Sequence, residues 1–221
     1  MSPFVMHLAA PSAVFEVASR VASATGSSSV STFDAALPSG SGDEELLVLA
    51  ARALLNARSI DTPSGWVQKF AGSDSYGALH VFTRPVSGAL SSVTLTFVGG
   101  TSLGAAAAWR VRGAHGDVEA DEFYTQTEAP DPPEVIQSWG NSEVLAFAVG
   151  TVRRTDNTLS LPSSYTDGVT ASTDDANTST SSGRILAGER ILTAASVDPG
   201  VFGMTGTVAR AAGLTVVVRK A

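Results

Sequence analysis

Hydrophobic and polar residues alternate most regularly between positions 91 and 100, where Val93, Leu95 and Phe97 are separated by Ser92, Thr94 and Thr96. A period of two places one set of side chains on each face of a pleated strand, so this stretch predicts a strand with one face buried. Residues 77–85 and 213–221 are β-branched or aromatic runs bounded by Gly or Pro. They predict further strands. With 21 Gly and 10 Pro spaced along the chain as punctuation, the pattern is that of an all-β fold of sandwich or barrel type.

One segment points the other way. Residues 43–60, DEELLVLAARALLNARSI, open with acids, close with arginines and are rich in Leu and Ala, which taken alone reads as a helix. The second half of the chain argues against that reading. Residues 141–169 lie over this region without a gap: Glu143 on Glu44, Leu145 on Leu46, Leu159 on Ile60, Pro162 on Pro63 and Tyr165 on Trp66, all at a separation of 99 (162 − 63). The second copy is β-branched and broken by Gly, so strands are expected in both, with a helix over 46–58 as the alternative.

Later segments correspond as well, residues 77–84 with 183–190 and 105–113 with 212–220. The Ser/Thr/Asp-rich stretch 166–183 predicts an exposed loop, and the acids and three prolines of 113–140 predict a surface crossover. The expected architecture is an antiparallel, jelly-roll-like β-sandwich with an internal two-fold duplication. Residues 1–30 form an N-terminal arm or edge strand, and 31–221 a single domain with halves at 31–112 and 141–221. Four or five strands per half are few for independent stability, so the halves are expected to share one core.

In the repeated Pro-Ser-Gly-Trp turn (63–66), Pro63 fixes φ, Gly65 can adopt φ > 0, and Trp66 carries large apolar area. Trp66 and its counterpart Tyr165 are therefore expected to cover one end of the core. The competing reading makes them a stacking platform for a ligand.

The succession of Gly42-Asp43, LLV (46–48), PSGW (63–66), LTF (95–97) and AAAAWRVRG (105–113), echoed by EVLAFAV (143–149) and LPSSY (161–165), resembles β-sandwich proteins encoded among the virion structural genes of tailed bacteriophages and gene-transfer particles. The resemblance covers most of residues 30–221. It departs from the usual pattern at Glu44-Glu45, at Trp109 where Tyr is common, and at Ser164-Tyr165 in place of Gly-Trp. It implies a non-enzymatic structural role and no catalytic residues.

Charge and composition narrow the picture further. The 14 Lys and Arg stand against 21 Asp and Glu, a formal net charge of -7, with no basic run to follow a phosphate backbone. Nucleic acid and anionic membrane are poor partners. There is no Cys, so neither disulfides nor thiolate chemistry contribute. The start of the chain lacks the charged region of a secretory signal, and no apolar run approaches the ~20 residues that cross a bilayer. A protein made in a host cytoplasm is expected.

Residues 100–104, GTSLG, fit the Gly-x-Ser-x-Gly pattern of a hydrolase nucleophile elbow. The only histidine after Ser102 is His115, no acid lies between them, and the following segment reads as strand, so a hairpin turn is the better reading. The three histidines, at 7, 80 and 115, have no ligand spacing. The acids at 117–122 and at 174–175 match no calcium loop. No cofactor, metal site or enzymatic activity is expected.

The function implied is that of a virion structural protein, a capsid decoration, cement or head-spike component attached to the major capsid protein and displayed on the virion surface. The alternatives are a tail-tip or tail-fibre protein contacting the host surface, or a carbohydrate-binding module holding a host-surface glycan. The apolar residues of the N-terminal arm, Phe4, Val5, Met6, Leu8, Val14, Phe15 and Val17, are expected to pack on a partner or a sister subunit. A homo-oligomer is expected, with a trimer as the working state.

Overall fold

The computed structural model describes residues 14–26, 28–40, 45–54, 58–74, 77–153, 157–173, 182–206 and 210–221, and every regular element in them is a β-strand. The first half contains β1 (Glu16–Ala24), β2 (Thr32–Ala36), β3 (Glu45–Ala53), β4 (Ser59–Ile60), β5 (Val67–Asp74), β6 (Gly77–Pro85), β7 (Ser92–Val98) and β8 (Gly104–Arg112). The second contains β9 (Ala114–Thr125), β10 (Val135–Ile136), β11 (Ser142–Arg153), β12 (Thr158–Ser160), β13 (Thr166–Ser172), β14 (Gly183–Ala194), β15 (Ser196–Val197), β16 (Gly203–Thr205) and β17 (Ala211–Lys220).

The first half builds an inner sheet of order β1-β8-β3-β6-β5 and an outer one of order β2-β7-β4. The chain alternates between these layers, and the orders 1-8-3-6 and 2-7-4 are those of a jelly roll. β5 departs from that plan by staying hydrogen-bonded to β6. The second half has an inner sheet of order β9-β17-β11-β14-β13, with the pairs β10-β15 and β12-β16 outside it. Counted from the start of each half, the inner strands come in the same order.

Their registers agree too. Leu46 faces Val111 and Val48 faces Trp109, while 99 and 107 residues later Leu145 faces Val218 and Phe147 faces Val216. β5 slips against β6 between Gln68 and Phe70, and β13 slips against β14 between Thr166 and Val169.

Alternation along the inner strands divides the interior into three clusters. From β3, Leu46, Val48 and Ala50 face the other inner sheet, and from β11 so do Leu145, Phe147 and Val149; together with Trp109, Val216 and Val218 they form the central cluster. The Trp109 and Phe147 rings stack across it with centroids 4.1 Å apart. From the opposite faces, Leu47, Leu49 and Ala51 pack with Phe33, Phe97 and Trp66, and Val144, Ala146 and Ala148 pack with Tyr165, Val197 and Phe202. Each half is thus a two-layer sandwich with its own core, and the inner sheets bury their remaining faces against each other. The expected core shared by the two halves is this central cluster; the outer layer of each half goes beyond the expectation, because its strands β4, β10, β12, β15 and β16, of two or three residues, leave no periodic signal.

Burial on both faces also explains the helix-like stretch. All nine residues of β3 are buried, so no polar face interrupts the apolar run. Two other segments differ from expectation. The predicted loop 166–183 begins with the seven-residue edge strand β13, and its residues 174–181 lie outside those described. The predicted crossover 113–140 begins with the twelve-residue β9, whose outward Asp117, Glu119 and Asp121 mask the inward alternation of Val118, Ala120 and Tyr124. Residues 16–24, assigned to the arm or edge strand, are the edge strand β1, paired along its length with β8.

Candidate interaction surfaces

Of the N-terminal residues expected to bind a partner, Phe4, Val5, Met6 and Leu8 lie outside the described residues. Val14 is 64% exposed. Phe15 is a correction: it is buried at 7% and belongs to the central cluster of its own chain, so its ring is not free for another molecule. Val17 also packs on that cluster. The described chain is therefore anchored from Phe15 onward.

The two repeated turns have matching geometry. Trp66 N–H donates to the Pro63 carbonyl at 3.1 Å and Tyr165 N–H to the Pro162 carbonyl at 3.2 Å. The third residue has positive φ in both, 80° at Gly65 and 74° at Ser164, which is the type II arrangement. Trp66 and Tyr165 are 7% and 6% exposed, and Trp109 is fully buried. None of these rings presents a face for stacking a sugar, and Trp139 packs against the second outer cluster. The stacking-platform reading of Trp66 and Tyr165 loses its geometric basis.

Polar ties cross the central interface at its two seams. On one side, Arg20 of β1 reaches Glu189 of β14 at 2.7 Å and Asp167 of β13 at 3.2 Å. Burial pushes the Glu189 carboxyl up to about 7, partly opposed by Arg20. Beside this tie lies a groove of about 690 Å³ walled by small residues, Ala22 and Ser23 of β1 and Thr170 and Ala171 of β13, with Arg184 at its floor donating to the Asn157 carbonyl at 2.9 Å.

On the other side, Tyr124 of β9 accepts from Leu79 N–H at 3.1 Å and donates to the Gly72 carbonyl at 3.3 Å. Glu122 covers Gly72, where a Cβ would overlap its carboxylate, and burial pushes Glu122 up to about 7. Arg52, 1% exposed, donates to Thr151 Oγ1. Arg52 and Thr151 are 99 residues apart, so they occupy equivalent places in β3 and β11. Burial lowers the Arg52 guanidinium, with Tyr124, Asp74 and Glu122 opposing.

At the outer face of the first half, Glu45 pairs with Arg110 and, at 2.7 Å, with Arg112, which also holds Glu16 at 3.0 Å. Burial works to raise the Glu45 carboxyl, but hydrogen bonds from Arg112 and Arg110 outweigh it and the net shift is downward. None of these networks was legible in the sequence. Their partners lie far apart in the chain, up to 169 residues for Arg20 and Glu189, and no spacing rule links them.

The remaining sequence motifs have ordinary structural roles. Ser102 is fully buried in the turn before β8 and its hydroxyl donates to the Leu103 carbonyl at 2.9 Å. His80 is buried, its Nδ1–H donating to Gln68 Oε1 at 3.3 Å and its Nε2 accepting from Ile60 N–H at 3.2 Å, and burial brings its imidazole down to about 4. Asp117 holds Arg219 at 3.0 Å and His115 at 2.9 Å, and Glu119 accepts from the Ser138 hydroxyl at 2.6 Å. Among the described residues, no three His, Asp or Glu side chains converge as metal ligands.

No protein-family model matches the chain, and no curated protein and no solved structure matches it either.

Proposed function

We propose that the chain is a non-enzymatic virion structural protein whose two halves arose by internal duplication, and that it decorates or cements a bacteriophage capsid by attaching to the major capsid protein. The observation that carries this reading is the set of motifs, Gly-Asp before the LLV strand and Pro-Ser-Gly-Trp after it, with the strand and the turn echoed at 143–149 and 161–165, which resembles the phage virion proteins. Two facts support it. Jelly rolls recur in virus capsids, an analogy of fold and not of site. An apolar N-terminal segment, extending beyond exposed Val14, suits attachment to a neighbouring subunit, and many weak copies reinforce one another by avidity. A homo-oligomer, taken as a trimer, is part of the proposal.

Immunogold electron microscopy of intact particles, with antibody against this chain, tests the location. Label over the whole head supports the decoration role, label confined to the tail end replaces it with a tail-tip or fibre role, and absence of label from purified particles overturns the virion reading. Deleting residues 2–12 should abolish particle association, with the thermal midpoint of the variant measured alongside to separate lost attachment from lost folding.

A further inference from the structure

Between positions 114 and 140 there are seven Asp and Glu and no Lys or Arg. That equals the formal net charge of the whole chain, -7, so the rest of the protein is balanced and the excess is concentrated on β9, β10 and the segment joining them. The same region exposes apolar area. Phe123 is 46% exposed, Ile136 75% and, beside them on the loop after β15, Val201 57%.

Charge and apolar surface meet in one cleft of about 240 Å³, lined by Phe123, Pro132 and Pro133 with Asp131, Glu134 and Asp198 as its polar walls. Its frame is fixed. Phe202 N–H donates to the Pro130 carbonyl at 2.9 Å, Thr215 donates to the Pro133 carbonyl at 2.6 Å, and Gly213 lies so close under the Asp131–Pro132 peptide that a Cβ there would strike it. Two prolines remove further backbone freedom. Asp198 accepts from Gly200 N–H at 3.1 Å. Neither Asp131 nor Glu134 has an ion-pair partner among the described residues.

We propose that this cleft docks an Arg or Lys side chain carried on an apolar stretch of a partner polypeptide. The carboxylates of Asp131, Glu134 and Asp198 would neutralise the cationic head while Phe123 and the prolines cover its aliphatic stem, a division of labour that suits these amphipathic side chains. Neutral apolar ligands would leave three carboxylates partly desolvated without compensation. A lone small cation would ignore the apolar wall. Glu134 also borders a second shallow groove with Ile136, Glu119 and Asp121, so the strip is long enough for several consecutive residues. Its one base, Lys69, donates to the Gly116 carbonyl at 3.0 Å. On the other flank, burial holds the Tyr165 hydroxyl above its usual range, with Arg190 opposing the shift and Asp198 adding to it. The proposal does not depend on a virion location.

Titration of the isotope-labelled full chain with the blocked peptide Gly-Arg-Leu-Arg-Gly tests the assignment. Amide shifts confined to residues 121–136 and 198–201 are expected, weakened by added salt and absent with the blocked peptide Gly-Glu-Leu-Glu-Gly. Asp131→Asn with Glu134→Gln should weaken binding by about fivefold or more, and Phe123→Ser should do the same, each with an otherwise unchanged spectrum. Shifts spread over the whole surface, no shifts, or binding indifferent to the Asp131/Glu134 pair would overturn the proposal. So would equal binding of Gly-Arg-Gly-Arg-Gly, which lacks the apolar residue.

Discussion

Gly65 and Ser164 hold the same position in matching turns, yet only one of them is suited to it. A type II turn needs φ > 0 at its third residue, where a Cβ is strained. Ser164 adopts φ 74° regardless, held by the Pro162–Tyr165 hydrogen bond on one side and by the buried Tyr165 ring on the other. Ser164→Gly should therefore leave stability unchanged or raise it by up to about 1 kcal/mol, while Gly65→Ala should lower it by about 1 kcal/mol or more. Urea midpoints of the two variants check both signs. The turn itself was legible from Pro63 and Gly65. The strain at Ser164 was visible only as the place where LPSSY (161–165) departs from the Pro-Ser-Gly-Trp pattern of 63–66.

Among the elements, the inner strands β3, β8, β11 and β17 carry the most consequence, since each is covered on both sides. Trp109 of β8 is fully buried and stacks on Phe147 of β11, joining the two halves. Trp109→Ala should cost about 3–5 kcal/mol by opening a cavity that strands locked on both faces cannot close. Trp109→Phe should cost much less. The indole N–H has no hydrogen-bond partner among the described residues, so the smaller ring loses contacts but also removes a buried unpaired donor. If Trp109→Phe proved as damaging as Trp109→Ala, an unseen partner for the indole would be the explanation. The edge strands give the opposite lesson: β9 and β13 were hidden in the sequence because a strand with one outward face can be mostly polar and still hold its place through the ladder.

For the whole molecule, the seam carboxyls and the buried His80 make stability depend on pH with opposing signs. Burial pushes Glu122 and Glu189 up to about 7 from an ordinary 4.5. Between those values the folded protein binds more protons than the unfolded chain, so their contribution is full below about pH 4.5 and is lost as pH rises through about 7. His80 acts in reverse. Burial lowers it to about 4 from 6.5, so its contribution is present above about pH 6.5 and is lost as pH falls toward 4. The wild type should lose stability between about pH 6.5 and 8, where the two carboxyls outweigh the tail of the His80 titration. The double variant Glu122→Gln and Glu189→Gln should not weaken in that window and should lose stability below pH 6.5. Urea midpoints from pH 4 to 8 read both slopes, and a double variant that still weakened between 6.5 and 8 would exclude these two carboxyls as the cause.

The sequence by itself determined the all-β class, because alternation with a period of two and Gly/Pro punctuation are local properties of the chain. It also fixed the correspondence between positions 99 residues apart, since a shared spacing of Glu, Leu and Pro needs no structure to be seen. Tertiary structure decided how the halves use that correspondence. That β3 is strand and not helix follows from ladders on either side of it, formed with residues up to 67 positions away, as in Glu45 and Arg112. That each half folds as two layers depends on strands as short as Ser59–Ile60 and Val135–Ile136, which exist only because a neighbour supplies their hydrogen bonds. The buried charges at the seams, Arg52 against Thr151 and Arg20 against Glu189, depend in the same way on two sheets meeting face to face.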